Sequence, residues 1–153
     1  SRSGVTRKVA ERAAKDLGAD VAEIRTPAYR LSGASYLRAA WDSLTGKRPD
    51  ISVSGPSPDA FDFVLVAAPV WAGHAATPMR AYLARHKGAI KRTAFVLTCG
   101  GHTPPKAFAE MASDAGVEAE KTFVLREKDV ASSAALPADI AAYLSSLKMK
   151  RAA

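Results

Sequence analysis

The sequence has few residues that could form disulfides or bind metals. Its 153 residues include a single cysteine, Cys99, and three histidines, His74, His86 and His102. One cysteine excludes an internal disulfide, which favours a cytoplasmic setting over a secreted one. The cysteine and the histidines do not have the spacing of metal ligands. We therefore expect a cytoplasmic protein with neither a disulfide framework nor a bound metal.

The sequence also lacks a long apolar run. The longest, residues 63–73, falls short of the roughly 20 residues that a membrane-spanning helix needs. Arg2, Arg7 and Lys8 lie near the start, but no apolar stretch follows them, so we expect no signal peptide. Membrane attachment is therefore not expected.

Acidic residues are outnumbered: 15 Asp and Glu stand against 22 Lys and Arg, which gives a net charge of +7. A basic balance is compatible with a nucleic acid, an anionic cofactor or an ordinary solvated surface. The basic residues are scattered, and no aromatic residues are interleaved with them as a base-stacking surface requires. The pattern argues against a nucleic-acid partner.

The apolar residues that are present alternate between two kinds of segment. Helical spacing indicates helices near residues 5–17, 37–44, 78–86, 108–115 and 137–147. Short apolar runs indicate strands at residues 21–26, 61–68, 93–99 and 120–126. Alternation of this kind predicts one α/β domain over residues 1–153, with a mainly parallel sheet between two layers of helices.

The strand at residues 61–68 leads into the first candidate site. Pro69 ends the apolar run, and an aromatic residue and a glycine follow before the next helix. In open α/β sheets, ligands bind at the loops that follow the carboxyl ends of the strands. Residues 69–74 are therefore expected to line a ligand site.

The start of the chain is a second candidate. Residues 1–6 are small and hydroxyl-rich and precede a predicted helix, whose free N–H groups and dipole favour an anion such as a phosphate monoester. The hydroxyls of Ser1, Ser3 and Thr6 could add donors. The alternative is an ordinary helix cap made by Ser3, without a ligand.

Three motifs together resemble the flavodoxin-like family. Residues 1–10, Ser-Arg-Ser-Gly-Val-Thr-Arg-Lys-Val-Ala, are similar to its phosphate loop and first helix. Residues 68–73, Ala-Pro-Val-Trp-Ala-Gly, followed by 77–83, resemble its second flavin loop, and Thr-Cys-Gly-Gly at 98–101 resembles the third. The motifs occur in the family's order, and the resemblance covers nearly the whole chain.

The resemblance implies one bound FMN and a three-layer αβα fold with strand order 2-1-3-4-5. The phosphate would be held by Ser1, Arg2, Ser3, Gly4, Val5 and Thr6. One side of the isoalloxazine would be lined by Pro69, Val70, Trp71, Ala72 and Gly73. Its other edge would be approached by Cys99, Gly100, Gly101 and His102. A tryptophan can stack on a flat ring, and glycines let backbone N–H groups come close to it.

The sequence departs from the family at its first strand. That strand precedes the phosphate loop and lies in the middle of the sheet, whereas this sequence begins inside the loop. We expect the strands at residues 21–26 and 61–68 to lack the neighbour between them. Either upstream residues belong there, or a strand from another molecule fills the position.

Several candidate residues also have structural interpretations. Trp71 fits a core aromatic as well as a flavin contact, and Cys99 fits a packed thiol as well as a redox centre. His74 and His102 could donate to a flavin or a nicotinamide, or could be solvated loop residues. His86, on an apolar helix face, is expected to be structural.

The resemblance leads to three hypotheses for function. The first is a small redox enzyme that passes electrons from NAD(P)H through FMN to a quinone-like acceptor. The second is a non-enzymatic electron carrier that docks redox proteins, and the third is a flavin-free binding module with the same fold. Members of the family often pair, so a homodimer is also expected.

Overall fold

The computed structural model describes residues 3–29, 33–101, 105–133 and 135–152, with only the backbone at 33, 34, 36 and 148–152. Its helices are α1 (Val5–Leu17), α2 (Gly33–Thr45), α3 (Thr77–Arg85), α4 (Lys106–Ala115), α5 (Glu127–Ser132) and α6 (Ala138–Ala152). Its strands are β1 (Glu23–Arg25), β2 (Ser52–Ser54), β3 (Val64–Trp71), β4 (His74–Ala75), β5 (Thr93–Cys99) and β6 (Lys121–Arg126). Two short 3₁₀ turns, Pro27–Tyr29 and Pro58–Ala60, complete the regular elements described.

The main sheet has four strands in the order β4-β3-β5-β6. β3 pairs with β5 and β5 with β6, both in parallel, while the short β4 is antiparallel to the end of β3. β1 lies outside this sheet and pairs only with β2, in antiparallel fashion. The expected mainly parallel sheet is therefore confirmed.

Helices cover both faces of the sheet. On one face, α3 and α4 pack against β3 and β5 through a core that includes Leu83, Phe95 and Met111, all fully buried. On the other face, α1 and α6 pack against β5 and β6 around Val9 and Ile140. Alternate residues of a strand point to opposite faces, so β5, which is buried at all seven residues, is apolar on both. The expected three layers are present.

β3 extends beyond the predicted boundary. The sequence indicates an end at Pro69, but the strand continues to Trp71. A proline is tolerated in a strand where its missing N–H would face an unpaired edge. The N–H of Val64 donates to Arg92 O on the β5 side, at 2.9 Å, and strand alternation therefore turns the Pro69 nitrogen away from β5. The site segment expected at residues 69–74 therefore begins within β3, and the turn itself starts only at Ala72.

Three short elements were not predicted. β2 lies in a segment rich in proline and glycine that reads as a loop, and β4 has only two residues. α5 follows β6 directly. In addition, β1 covers only three of the six residues expected at 21–26. Among the described residues, no helix combines the length and the apolar character needed to cross a bilayer.

Candidate functional site

The described candidate segments meet at the carboxyl edge of the main sheet. β3 and β5 are parallel neighbours, and Pro69 on β3 lies opposite Thr98 on β5. The residues that follow the two strands therefore emerge side by side. Ser1, Arg2 and His102, which the sequence also indicates, lie outside the described residues.

The first segment forms the N-terminus of α1. Gly4 precedes the helix with φ of 73°, a left-handed conformation that glycine adopts without strain. The N-cap position is occupied by Gly4, which has no side chain that could cap the helix, so the alternative of an N-cap made by Ser3 is wrong. The first-turn N–H groups have no acceptor within the helix, so this end keeps the donor character that suits an anion.

Thr6 ties the first segment to β5. Its side chain is buried, and its Oγ1 lies 2.6 Å from Oγ1 of Thr98. The hydroxyl that was predicted to face a phosphate therefore hydrogen-bonds to the neighbouring strand. This contact holds the start of α1 beside the carboxyl end of β5, since Thr98 is the residue before Cys99.

Replacing Thr98 by valine should destabilise the protein, because the buried Thr6 hydroxyl loses this partner. We expect a loss of about 1–2 kcal/mol in the free energy of unfolding, measured by thermal or denaturant unfolding. The double variant with Thr6→Val should recover much of the loss, since replacing both partners removes the desolvation penalty. A double variant that is less stable than Thr98→Val alone would contradict the assigned bond.

The second segment is a tight hairpin between β3 and β4. Trp71 pairs with His74, leaving Ala72 and Gly73 as the two turn residues, with φ of 48° and 81°. Two positive φ values in a two-residue hairpin are typical of a type I′ turn, which favours glycine or asparagine at both positions. Ala72 is therefore strained, by about 1 kcal/mol or more. The N–H of Ala76 donates to Pro69 O at 3.0 Å and closes the base of the hairpin.

Trp71 is partly buried and contacts an aromatic neighbour. The ring of Tyr29 meets it in a T-shaped arrangement, with ring centroids 5.3 Å apart. The Tyr29 hydroxyl lies 2.9 Å from Asp42 Oδ2 and 3.0 Å from Thr77 Oγ1. Burial raises the pKa of Tyr29, so its hydroxyl stays protonated at neutral pH and donates to Asp42. Trp71 thus belongs to a braced aromatic pair.

The third segment follows β5. Cys99 is 3% exposed and its thiol donates to the carbonyl of Gly101 at 3.0 Å, as expected of a packed thiol. Gly100 and Gly101 are exposed, and a Cβ at either position would meet no atom within 4 Å. The backbone after Cys99 is therefore accessible to a ligand.

His74 is not a solvated loop residue. It lies on β4 with a side chain only 13% exposed, and its Nδ1 is 2.7 Å from Oε1 of Glu110 on α4. Glu110 Oε2 lies 3.5 Å from Arg80, and Arg80 Nε donates to Asp114 Oδ2 at 2.7 Å. Arg48 also binds Asp114. Sequence reasoning missed this network of hydrogen bonds and ion pairs, because the two residues of each pair lie 30 to 66 residues apart in the sequence.

An open groove separates β1 from β3. Helix α1 closes it on one face and α3 on the other, and its volume is about 630 Å³ near the carboxyl edge and about 170 Å³ further along. The groove is lined mostly by apolar side chains, among them Ala10, Ala13, Ile24, Leu65, Ala67 and Met79. The groove runs along one edge of β3.

Part of the β3 backbone faces this groove. Val64 pairs towards β5, so strand alternation directs the N–H and C=O groups of Leu65 and Ala67 into the groove. Among the described residues, no strand pairs with this edge of β3 before β4 begins to pair at Val70. Half-buried backbone groups of this kind normally have hydrogen-bond partners.

Several solved structures are similar in fold to this chain. A flavoprotein of Lactobacillus acidophilus NCFM, solved in complex with FMN, superposes with a TM-score of 0.68 at 21% identity, over 84% of this chain and 89% of that one. A protein from Bacteroides eggerthii DSM 20697, described as a candidate flavoprotein, gives 0.66 at 20% identity, over 86% and 89%. The apo-form of a flavoprotein from L. acidophilus NCFM gives 0.60 at 20% identity, over 89% and 93%.

At these identities the likeness establishes a shared fold, a mixed α/β architecture consistent with the flavodoxin-like arrangement. No protein-family model matches the chain. No curated protein matches it either. Among the described residues, no group of three or more His, Cys, Asp or Glu side chains could hold a metal ion.

Proposed function

We propose that this chain binds one FMN at the carboxyl edge of its sheet and acts as a small redox enzyme. In this proposal NAD(P)H supplies electrons and a quinone-like compound accepts them. The observation that carries the proposal is the convergence of three candidate segments, the start of α1, the β3–β4 hairpin and the residues after β5. The fold shared with an FMN-bound flavoprotein supports it.

The residues present fit such a cofactor. The N-terminus of α1, with Gly4 at its N-cap, would offer backbone donors to the phosphate, next to Ser3. Trp71 and the hairpin turn would lie along one side of the isoalloxazine, and Gly100 and Gly101 would approach its other edge. No Cβ obstructs that approach. A phosphate group and a flat aromatic ring match this set of donors and aromatic residues.

The chemistry of electron transfer would come from the flavin, which can exchange hydride with a nicotinamide. The chain's own residues would bind and orient it. The Thr6–Thr98 bond keeps the phosphate end beside β5, and the braced Trp71–Tyr29 pair limits how far the tryptophan ring can move. The Cys99 thiol is buried against Gly101 and needs no redox role.

The proposal extends to the sheet itself. A strand in the groove, parallel to β3, would pair with the backbone N–H and C=O groups of Leu65 and Ala67. The sheet would then have the order 2-1-3-4-5, in which the strand in the groove is strand 1 and β1 is strand 2. The carboxyl end of the strand in the groove would lie at the same edge of the sheet as the N-terminus of α1, whether the strand comes from upstream residues or from another molecule. The groove's apolar walls support a strand that is buried on both faces.

Replacing Trp71 by alanine should weaken FMN binding, because the stacked ring is lost. We expect the Kd to rise by about 10–30-fold, with Trp71→Phe retaining most of the affinity. Fluorescence titration of FMN measures the Kd of both variants. Trp41→Ala is the matched control, since Trp41 lies on α2 with 68% of its surface exposed and should leave the Kd unchanged. Equal effects of the two alanine variants would count against a flavin contact at Trp71.

Steady-state oxidation of NADH and NADPH by the FMN-loaded protein tests the enzymatic part. Turnover with a quinone acceptor and no protein partner would support the redox enzyme. FMN binding without turnover would favour the electron carrier, although the charge of +7 is unusual for carriers of this family, which tend to be acidic. A chain that binds no FMN would leave the flavin-free binding module. We also propose a cytoplasmic homodimer, to be examined by sedimentation.

A further inference from the structure

We propose that His74, clamped by Glu110 and Lys106, is a positioning residue for the flavin, because it fixes the β3–β4 hairpin against α4. This inference rests on the proposed FMN function and adds two residues on α4 to it. The resemblance to flavoproteins assigns a role to neither Glu110 nor Lys106.

The β3–β4 hairpin depends on contacts with the rest of the protein for its stability. It has only two residue pairs, Val70 with Ala75 and Trp71 with His74, and isolated hairpins are marginal in water. Its turn includes Ala72 at a positive φ, which adds strain. Strain of this kind persists only where surrounding contacts hold the backbone in place. The hydrogen bond from Ala76 to Pro69 holds the base of the hairpin, so the end near the turn depends on other contacts.

His74 supplies such a contact through both ring nitrogens. Its Nδ1 lies 2.7 Å from Oε1 of Glu110, and its Nε2 lies 3.4 Å from Nζ of Lys106. A carboxylate only accepts hydrogen bonds and an ammonium only donates them. Both contacts are therefore satisfied by a neutral imidazole with its proton on Nδ1. This tautomer is assigned by the partners and leaves the ring a single orientation.

Glu110 lies between His74 and a cation on α3. Within the part of the chain that the structure describes, its Oε2 is buried without a hydrogen bond, and Nη1 of Arg80 lies 3.5 Å away. Lys106 is the first residue of α4, the helix that follows the third candidate segment. The clamp therefore joins the hairpin, which bears Trp71, to the helix that follows Gly100 and Gly101. The imidazole of His74 therefore adds to the β3–β5 pairing a contact that positions the two sides of the proposed flavin site relative to each other.

The test compares Glu110→Ala with Glu110→Gln. The glutamine keeps an oxygen that can accept from Nδ1, whereas alanine removes the contact. We expect FMN Kd to rise by about 10-fold in Glu110→Ala and to stay within about 3-fold in Glu110→Gln, as for the loss of one hydrogen bond to a charged group. Glu118→Ala, at an exposed glutamate after α4, is the control and should not change the Kd.

Hydrogen exchange in the FMN-free protein tests the clamp independently of the cofactor. The amide of Ala76 reports on the hairpin because it donates to Pro69. Its exchange should accelerate by about 10-fold in Glu110→Ala and in His74→Phe, which preserves ring volume without the bonds. Unchanged exchange would overturn the clamp, and faster exchange with unchanged FMN affinity would overturn its positioning role. If the wild-type chain binds no FMN, the proposed function fails, and the exchange data still decide whether the clamp exists.

Discussion

A strand supplied to the groove between β1 and β3 should raise the thermal stability of the protein by a large amount. The direct experiment extends the chain ahead of Ser1 by about eight apolar, β-branched residues, enough for one strand. Pairing the backbone groups of Leu65 and Ala67 and filling the groove should add about 5 kcal/mol, which corresponds to a rise in Tm of about 10–20 °C. Circular dichroism during heating measures it.

The control extension has the same length with proline at alternate positions, so that it cannot donate to β3. It should leave the Tm close to that of the unextended chain. Stabilisation by both extensions would show that apolar burial alone is responsible, without pairing to β3. Stabilisation by neither would contradict the proposal that the groove accepts a strand.

Replacing Arg80 by methionine should produce the second large effect, because Arg80 is the cation shared by Glu110 and Asp114. Asp114 is only 5% exposed, and Arg80 and Glu110 are 16% and 22% exposed. Removing one partner of a largely buried ion pair leaves uncompensated charge, and we expect a loss of about 2–4 kcal/mol in the free energy of unfolding. Urea denaturation measures this loss.

Arg85→Met, on the last turn of the same helix, is the matched control. Because Arg85 is exposed, its replacement should lower the free energy of unfolding by less than about 0.5 kcal/mol. Arg48, half exposed, still binds Asp114 in the Arg80 variant, so part of the charge remains compensated. Equal stabilities of the Arg80 and Arg85 variants would contradict the structural role assigned to this network.

The sequence predicts the layered parts of the fold well. β5 is buried at every residue, so its apolar run at residues 93–99 leaves no ambiguity, and α1 begins and ends where the apolar spacing and Gly18 indicate. The meeting of the candidate segments also follows from sequence, because parallel neighbouring strands place their carboxyl ends at one edge. These features depend on local pattern and on general rules of topology.

Features that depend on distant contacts were not predictable in this way. Pro69 reads as the end of a strand, because the sequence does not reveal that its nitrogen faces away from β5. His74 reads as a solvated loop residue, because its partner Glu110 lies 36 residues away. β2, with the sequence Ser-Val-Ser, has too little apolar character to be distinguished from a loop. In each case contacts between residues distant in the sequence determine a structure that differs from the one the local pattern predicts.

A titration of the purified chain with FMN tests the proposed flavin site, with visible absorption and flavin fluorescence as readouts. We expect a perturbed flavin spectrum and quenched fluorescence that saturate at one FMN per chain, in the chain as it is or with the strand extension in place. Free-flavin spectra and unquenched fluorescence in both forms would contradict an FMN site at this edge of the sheet.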